Sequence, residues 1–444
     1  MEPHTGQVIF GLSAALVASV IFVSVYALVV SEKLNRAILA LLGAGLMILL
    51  GVVTQEAALR GIDFNTIGLL LGMMVLVGIT GKSGVFQYVA IWSAKKVNAY
   101  PLGVLVMLSV VTAVFSALLD NVTTVLLVVP VTLLITEELK VRPYPYLVAE
   151  ILCSNIGGTA TLIGDPPNIM IGSATGLTFN DFLLNTGPPV VLVLAATLGP
   201  LCWLWRKDLV ADESARRRVL EFRESEAIRD PRLLKQALAV LAGVIAGFVA
   251  AHSLHLEPAT IAIFGAATLL LLDNYHRPAE EQSENVHHAF AEAEWVTLLF
   301  FVGLFVLVHG LESAGVIKWM AAELLAATGG DFNLAAIAIL WGSALLSAFI
   351  DNIPFVATMI PLIKSTAPAF GGEDALKPLW WALSLGACLG GNGTLIGASA
   401  NLVVAGMAER AGQPIRFLPF LKSSFLLMLV SIVIAHVYLW LRYL

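Results

Sequence analysis

The stretch from Ala387 to Asn401 reads ACLGGNGTLIGASAN, and a related one, NIGGTATLIGDPPN, runs from Asn155 to Asn168. Each interrupts a long apolar segment with glycine, proline and amide residues, a composition that breaks a helix. Most of the shared residues keep a constant offset of 233 positions. They pair as Gly157 with Gly390, Gly158 with Gly391, Thr161 with Thr394, Gly164 with Gly397 and Asn168 with Asn401.

A second set of matches precedes these stretches in each half of the chain. The dipeptide Asp120-Asn121 recurs as Asp351-Asn352, at an offset of 231 positions, and both copies split an apolar run. Chance does not keep such a register across a hundred residues, so the chain contains an internal repeat. Other residues in this register are Thr66 with Thr297, Gly72 with Gly303, Gly84 with Gly315 and Pro130 with Pro361.

The composition places this repeat in a membrane. Of 444 residues, 58% are hydrophobic and only 13% are charged, against about 25% charged residues in soluble domains. A soluble fold of this size could not hide so much apolar surface. The three cysteines lie in or beside apolar segments, which argues against a disulfide framework. No charged tail suits nucleic acid, so we expect no nucleic-acid partner, and no motif indicates a cofactor.

The apolar segments predict an all-α membrane protein. A spanning helix needs about 20 mainly apolar residues. Two split runs are predicted to form hairpins near 101–136 and 332–366, which either turn inside the membrane or cross it twice. Trp203, Trp205, Trp380 and Trp381 are predicted to anchor span ends at the interface. About ten further spans are predicted near 8–30, 37–53, 64–81, 146–172, 187–205, 236–252, 258–273, 295–311, 378–405 and 423–441.

The distribution of basic residues predicts the orientation, because Lys and Arg concentrate on the cytoplasmic side. With both termini outside, 20 of the 25 basic residues fall on the inner side. The opposite orientation inverts that ratio. The five basic residues left outside are Arg60, Lys318, Lys364, Lys377 and Arg442.

In this topology the two repeats run in opposite senses. The repeats are residues 1–205 and 236–444, joined by a cytoplasmic linker at 206–235. The span at 64–81 runs inward, whereas its partner at 295–311 runs outward. Inverted repeats are typical of secondary transporters, whose binding sites lie near the membrane midplane on interrupted helices.

Two aspartates interrupt the hairpins at equivalent positions, Asp120 and Asp351. A lipid-facing carboxylate at the bilayer centre costs at least about 2.5–3.5 kcal/mol. Either residue alone could simply cap the helix that begins at the hairpin tip. Two in symmetric positions, each followed by asparagine, favour a functional pair, and capping is compatible with binding because helix N-termini attract ligands.

The broken segments supply the second group of candidates. Backbone opened at membrane depth is tolerated only where it is buried in protein or lines a cavity. Packing kinks of small residues explain glycines but explain the aspartate and amide side chains poorly. Weaker candidates are Glu150 and His309, which could pair locally or relay protons, and Cys153 and Cys388, whose thiols suit soft metalloids but also suit simple packing.

Taken together, these motifs resemble the ion transporter superfamily, in its branch of arsenite-efflux permeases, bacterial sodium/proton antiporters and the P protein. The resemblance covers almost the whole chain. Its most specific pieces are Asp120-Asn-Val-Thr-Thr124, Asn155-Ile-Gly-Gly158, Ile163-Gly-Asp-Pro-Pro-Asn168, Asp351-Asn-Ile-Pro354 and Ala387–Asn401.

The resemblance implies a scaffold domain and a mobile transport domain with re-entrant hairpins, an elevator movement and a homodimer. It places substrate and coupling ions at the hairpin tips and the facing broken helices. Sodium would be held by Asp120, Asn121, Asp351 and Asn352. The full set of implied binding residues is Asp120, Asn121, Thr123, Thr124, Asn155, Asp165, Asn168, Asp351, Asn352, Asn392, Thr394 and Asn401.

The hairpin tips also bear on the substrate. Dicarboxylate carriers of the same superfamily have tips similar to Ser-Asn-Thr, which are uncharged. Here each tip carries Asp instead, and an ionised Asp repels an anion. The leading hypothesis is therefore proton-coupled efflux of arsenite or antimonite, because neutral As(OH)3 donates three hydrogen bonds. Sodium/proton antiport is the nearest alternative, since hard cations take carboxylate oxygens, and dicarboxylate or other anion transport is the third.

The remaining expectations concern the setting of the protein. We expect a bacterial inner-membrane protein without enzymatic activity. An intramembrane aspartyl protease would have no need of matching interrupted helices in each half, whereas a passive channel is harder to exclude. No Walker A motif is present, so ATP drive would require a separate ATPase subunit.

Overall fold

The computed structural model describes residue 8, residues 11–31 and residues 33–444. The predicted start of the first span touches residues 9 and 10, which lie outside the described part. The described residues of the first half form eleven α-helices. These are α1 (Ala14–Val30), α2 (Arg36–Leu49), α3 (Gln55–Arg60), α4 (Phe64–Lys82), α5 (Val85–Lys96), α6 (Pro101–Leu118), α7 (Asn121–Leu139), α8 (Tyr144–Gly158), α9 (Pro166–Thr175), α10 (Phe179–Asn185) and α11 (Gly187–Trp205).

The second half follows a similar order of helices after the linker, without a counterpart of α10. The linker contains one α-helix and a 3-10 turn at Glu224–Ala227, and a second such turn lies at Glu373–Leu376. The α-helices are α12 (Glu213–Leu220), α13 (Pro231–Leu254), α14 (Pro258–Asn274), α15 (Ala279–Ala291), α16 (Trp295–Ser313), α17 (Val316–Ala327), α18 (Phe332–Phe349), α19 (Asn352–Ser365), α20 (Lys377–Gly390), α21 (Ser399–Arg410) and α22 (Phe417–Arg442).

The observed helices account for the predicted spans. Within the described ranges, eight helices are long and apolar enough to cross a membrane: α4, α6, α7, α11, α13, α16, α18 and α22. Helices α6, α7 and α18 are hairpin arms, and α1, α2 and α14 are shorter apolar helices of 17, 14 and 17 residues. Both broken segments are interrupted as predicted, because non-helical backbone separates α8 from α9 and α20 from α21.

Equivalent helix pairs pack in the same way in the two halves. Helix α8 lies against α6 as α20 lies against α18, and α4 lies against α14 as α16 lies against α2. Glycines allow these close approaches. A Cβ atom added at Gly157 would lie 2.1 Å from the carbonyl oxygen of Ala113, and one at Gly390 would lie 2.5 Å from that of Ala344. The glycines of the repeat are therefore contact points between helices.

The same correspondence holds for the hydrogen bonds that tie each hairpin to its broken segment. Ser116 Oγ donates to the carbonyl of Ser154, and Ser347 Oγ donates to that of Ala387, both at 2.6 Å. The repeat read from the sequence is thus also a repeat of side-chain contacts.

The linker docks on the first half. Lys95 Nζ on α5 donates to Glu224 Oε2 at 2.6 Å, and this hydrogen bond lowers the pKa of the Glu224 carboxyl. Arg218 on α12 likewise donates to Glu138 on α7 at 3.0 Å. The linker therefore rests on α5 and α7, next to the first hairpin.

The predicted interfacial anchoring is wrong for Trp380 and Trp381. Both are buried, and the Trp381 ring packs edge-on against Phe182 with centroids 5.2 Å apart. Trp205 is also buried, whereas Trp203 is 67% exposed. A tryptophan near a span end can thus be buried between helices, and its position in the sequence alone does not show this.

Candidate ion- and substrate-binding site

At each hairpin tip, one oxygen of an aspartate carboxylate caps the following helix, and the cap does not use the other oxygen. Asp120 Oδ1 accepts a hydrogen bond from the Thr123 backbone amide at 2.8 Å, at the start of α7. Asp351 Oδ1 accepts one from the Ile353 amide at 3.2 Å, at the start of α19. The capping role considered from the sequence is therefore present at both tips. It occupies one oxygen of each carboxylate and leaves the other free for a second role.

A small cavity of about 20 Å³ lies between the hairpin tips and helices α2, α4 and α16; we call it the central cavity. Its wall includes Leu70 and Met74 from the middle of α4, so the tips lie at the depth of that helix's centre. This position favours hairpins that turn inside the membrane. The polar residues of the wall are Arg36, Asp120, Asn121, Asp165, Glu294, Thr297, Asn352 and Ser399.

Acceptor atoms without partners gather on the first-repeat side of the central cavity. Among the described residues, Asp120 Oδ2, Asn121 Oδ1 and Asp165 Oδ2 are buried and accept no hydrogen bond. The other oxygen of Asp165 lies 3.4 Å from the Asn352 amide nitrogen, which donates to it. Thr124 Oγ1, just inside α7, is also buried without a partner in the described chain. Such unpaired acceptors are costly unless a ligand satisfies them.

On the second-repeat side, an arginine donates a hydrogen bond to the carboxylate oxygen that the cap does not use. Arg36 Nη1, at the start of α2, donates to Asp351 Oδ2 at 2.8 Å and to Ser399 Oγ at 2.7 Å. Its Nη2 donates to Thr297 Oγ1 at 3.0 Å. The guanidinium also lies over the Phe300 ring, 5.2 Å from its centroid. An ion pair thus joins α2 to the second hairpin.

A larger, mainly apolar cavity of about 370 Å³ lies on the other side of this ion pair; we call it the apolar cavity. Arg36 lines both cavities, and Asp351 lines the apolar one together with Tyr26 and Phe300. The Arg36–Asp351 pair therefore stands between the central cavity and a second space.

Behind the tips, a group of asparagines connects the two halves; we call Asn121, Asn155, Asn392 and Asn401 the amide cluster. Asn155 Nδ2 donates to Asn392 Oδ1 at 2.9 Å and to Asn401 Oδ1 at 2.8 Å. Asn155 Oδ1 accepts from Asn121 Nδ2 at 3.3 Å. One side chain on α8 thereby links the first hairpin tip to the second broken segment.

Other predicted site residues satisfy the opened backbone. Asn168 Nδ2 donates to the Thr161 carbonyl at 2.8 Å, and Asn401 Nδ2 donates to the Thr394 carbonyl at 2.9 Å. Thr394 Oγ1 donates to the Ala348 carbonyl at 2.5 Å, at the second hairpin. These three residues hold the interruptions open and hold the tip in place, as backbone at membrane depth requires.

Acidic groups outnumber basic groups around the central cavity. Three carboxyl groups, those of Asp120, Asp165 and Glu294, and one guanidinium, that of Arg36, line it, and this guanidinium is already paired with the Asp351 carboxylate. In a medium of low dielectric such an excess attracts cations and repels anions. The chemistry that this arrangement supports is the binding of a small cation or of a hydrogen-bond donor.

Comparisons with known proteins agree with this architecture. A model of the citrate transporter family, CitMHS, matches residues 26–386. The chain belongs to the citrate transporter family. An uncharacterized transporter of Mycobacterium tuberculosis is 46% identical over 438 residues, covering 97% of this chain and 99% of that protein. The human P protein is 34% identical over 504 residues, covering 95% of this chain and 59% of that protein.

A solved structure shares the fold. The YdaH transporter of Alcanivorax borkumensis, described as having an unusual topology, superposes with a TM-score of 0.58 at 14% sequence identity and covers 97% of this chain and 99% of its own. The predicted membership of the ion transporter superfamily, in the branch that includes the P protein, is confirmed. The chain is a multi-pass, all-helical membrane protein and a secondary transporter rather than an enzyme.

Sequence reasoning missed Arg36, Glu294, Thr297 and Ser399 in this member of the citrate transporter family. Arg36 counted only as an inner basic residue, although it stands directly at the start of an apolar helix. Thr297 belongs to the repeat, and Ser399 lies inside the motif that ends at Asn401. Their positions were visible in the sequence, but the hydrogen bonds of Arg36 with Asp351, Ser399 and Thr297 were not.

The weaker candidates lie outside the central cavity. Glu150 is buried on α8, where Oε1 accepts from Thr132 Oγ1 at 2.5 Å. His309 Nδ1 lies 3.5 Å from Glu312 Oε2, one turn further along α16. Cys153 is buried beside α6, whereas Cys388 Sγ lies 3.6 Å from Asn168 Oδ1, close to the site. Of the four, only Cys388 touches a predicted site residue.

Proposed function

We propose that the chain is a cation-coupled transporter in which Na+ and H+ compete for the carboxyl groups around the central cavity. The observation that carries this proposal is the set of buried, unpartnered acceptors, Asp120 Oδ2, Asn121 Oδ1 and Asp165 Oδ2. Carboxylate and amide oxygens are the ligands that hard cations prefer. A proton on one of these carboxylates and a sodium ion beside it exclude each other, and such competition yields antiport.

The size of the central cavity supports the same choice. Its volume of about 20 Å³ is close to the space of one water molecule, about 10–15 Å³ on the same measure. A partly dehydrated sodium ion fits such a space. The family is named after citrate, but citrate would need a far larger cavity and would meet three carboxyl groups and one guanidinium that is already paired. Carboxylate transport is therefore the least supported of the three hypotheses.

Arsenite or antimonite efflux, the leading hypothesis from the sequence, becomes the second candidate. The specific observation in its favour is that the unpartnered atoms on the first-repeat side are mostly acceptors, and As(OH)3 offers three hydroxyl donors. Against it, the molecule is larger than the central cavity. Among described residues only one thiol, that of Cys388, touches the site. Arsenite transport requires the tips to separate from the scaffold before the substrate can enter.

The test uses the purified protein in liposomes that contain a pH-sensitive dye and carry an imposed pH gradient. Sodium-dependent, saturable collapse of the gradient is expected, and arsenite is expected to have no effect. Collapse by arsenite but not by Na+ would contradict the proposal and restore metalloid/proton exchange. If neither Na+ nor arsenite has an effect while citrate is accumulated, both the sodium and the arsenite hypotheses fail.

The wider setting is also proposed on the basis of the family resemblance. We expect an elevator movement of the hairpin-bearing domain, a homodimer, both termini outside and a bacterial inner membrane. Accessibility of single cysteines placed in the linker 206–235 and at the C-terminus tests the orientation directly.

A further inference from the structure

The two repeats differ at the start of α2, where Arg36 contacts a hairpin tip. Helices α2 and α14 correspond at an offset of 222 positions, so that Ala40, Gly43 and Ala44 match Ala262, Gly265 and Ala266. In the same register, Arg36 at the start of α2 matches Pro258 at the start of α14. One half therefore carries a permanent cation where the other carries none.

The contacts of that cation are those of a bound ion. The Arg36 guanidinium is held by the Asp351 carboxylate and by the hydroxyl oxygens of Ser399 and Thr297, at 2.8, 2.7 and 3.0 Å. These are one charged and two neutral oxygens from three different helices. At the equivalent tip of the first repeat, Asp120 Oδ2 meets no cation of the described chain and stays unpartnered.

We infer that Arg36 competes with a monovalent cation for the second hairpin tip. In this structure its guanidinium fills that second site, formed by Asp351, Ser399 and Thr297. Arg36 belongs to the scaffold helix α2, whereas Asp351 and Ser399 belong to the second hairpin and its broken segment. The guanidinium, which is covalently part of the protein, thus competes with a free cation for Asp351. When Arg36 reaches Asp351, a cation bound there must leave. One positive charge replaces another, so the net charge beside the carboxylate does not change.

The position of the ion pair leaves the Asp351 carboxylate partly exposed. The pair lies between the central cavity and the apolar cavity, and Arg36 lines both. The Arg36 side chain is 23% exposed and that of Asp351 13% exposed, so this carboxylate is more accessible than the buried Asp165. Competition at Asp351 therefore needs no opening of the amide cluster.

This inference rests on the proposed cation coupling and is tested by measuring Na+ binding to the purified full-length protein with a radioactive sodium tracer. Arg36→Gln removes the competitor and keeps a polar side chain. We expect its apparent Na+ affinity to rise about tenfold or more, with a second equivalent of Na+ bound at saturation. Arg60→Gln is the matched control, because Arg60 only pairs with the exposed Glu56 on α3, and it should bind Na+ as the parent does.

Two further variants separate the inference from a folding defect. Arg36→Lys keeps the charge and should bind Na+ nearly as the parent does. Arg36→Gln combined with Asp351→Asn should lose the added affinity and the second equivalent. If Arg36→Gln is folded and binds one Na+ with parental affinity, the second site does not exist. If neither the parent nor any variant binds Na+, the proposed coupling and the inference both fail. If only Arg36→Gln binds Na+, the inference about Arg36 is supported and the proposed Na+ coupling of the parent protein fails.

Discussion

The closest helix approach in the first repeat gives a quantitative test of how packing positions the site. In Gly157→Ala, the new Cβ would lie 2.1 Å from the Ala113 carbonyl oxygen and 2.6 Å from its carbonyl carbon. Both are backbone atoms, so no side chain can rotate away, and α8 must move from α6 by about 1 Å to restore a normal contact. Overpacking of this kind typically costs about 1–3 kcal/mol. Asn155, two residues earlier, would shift with α8 and strain its 2.8 and 2.9 Å hydrogen bonds in the amide cluster.

Thermal unfolding in detergent and sodium-dependent proton flux in liposomes measure the two effects. Gly157→Ala should unfold at a lower temperature than the parent, and the protein that remains folded should transport more slowly. Gly45→Ala is the matched control, because Gly45 lies inside α2 with no atom within 4 Å of an added Cβ, and alanine favours a helix by about 0.5–1 kcal/mol over glycine. Equal stability and equal flux of the two variants would refute the packing argument.

Three further variants probe single features of the site. Asp120→Asn should abolish sodium-coupled flux in protein that remains folded, because the tip loses its charge but keeps a capping oxygen; full coupled activity would show that the cation binds elsewhere. Asn155→Ala should lower stability by about 1–3 kcal/mol through buried amides left unpaired, and unchanged unfolding would show that the amide cluster does not join the halves. Lys95→Ala should return the pKa of Glu224 towards its ordinary value and speed hydrogen exchange at Glu224–Ala227, whereas unchanged exchange would mean that the linker is held by other contacts.

Periodicity and repetition were sufficient to predict most of the fold. The broken segments could be recognised because glycine and proline are incompatible with an uninterrupted helix. The recurrence of these segments at a fixed offset identified the repeat. The boundaries followed local rules as well: Asp120 and Asp351 lie just beyond the end of one hairpin arm and cap the next one. What could not be predicted was which tryptophans would be buried, since that depends on neighbours distant in the chain.

The site was predictable in its residues but not in its pairing. Asn155, Asn392 and Asn401 were candidates from the sequence, and the structure brings them within hydrogen-bonding distance. Arg36 was not a candidate, because a basic residue at a span edge is ordinarily explained by the membrane interface. Its contact with Asp351 spans 315 positions, and no local pattern encodes a contact of that range.

The departures from the repeat are more informative about function than the matches. If the halves were identical, two inverted states of the transporter would have the same contacts and the same energy, and neither side of the membrane would be preferred. The sequence breaks this equivalence at two pairs of corresponding positions: Arg36 corresponds to Pro258, and Asn155 corresponds to Cys388. Each substitution changes a contact of a hairpin tip or a broken segment: the first adds an ion pair to Asp351, and the second replaces an amide that joins the halves by a thiol 3.6 Å from Asn168. The ion gradient sets the direction of transport, whereas the polar asymmetry of the repeats makes the two states unequal in energy at the site where ligands would bind.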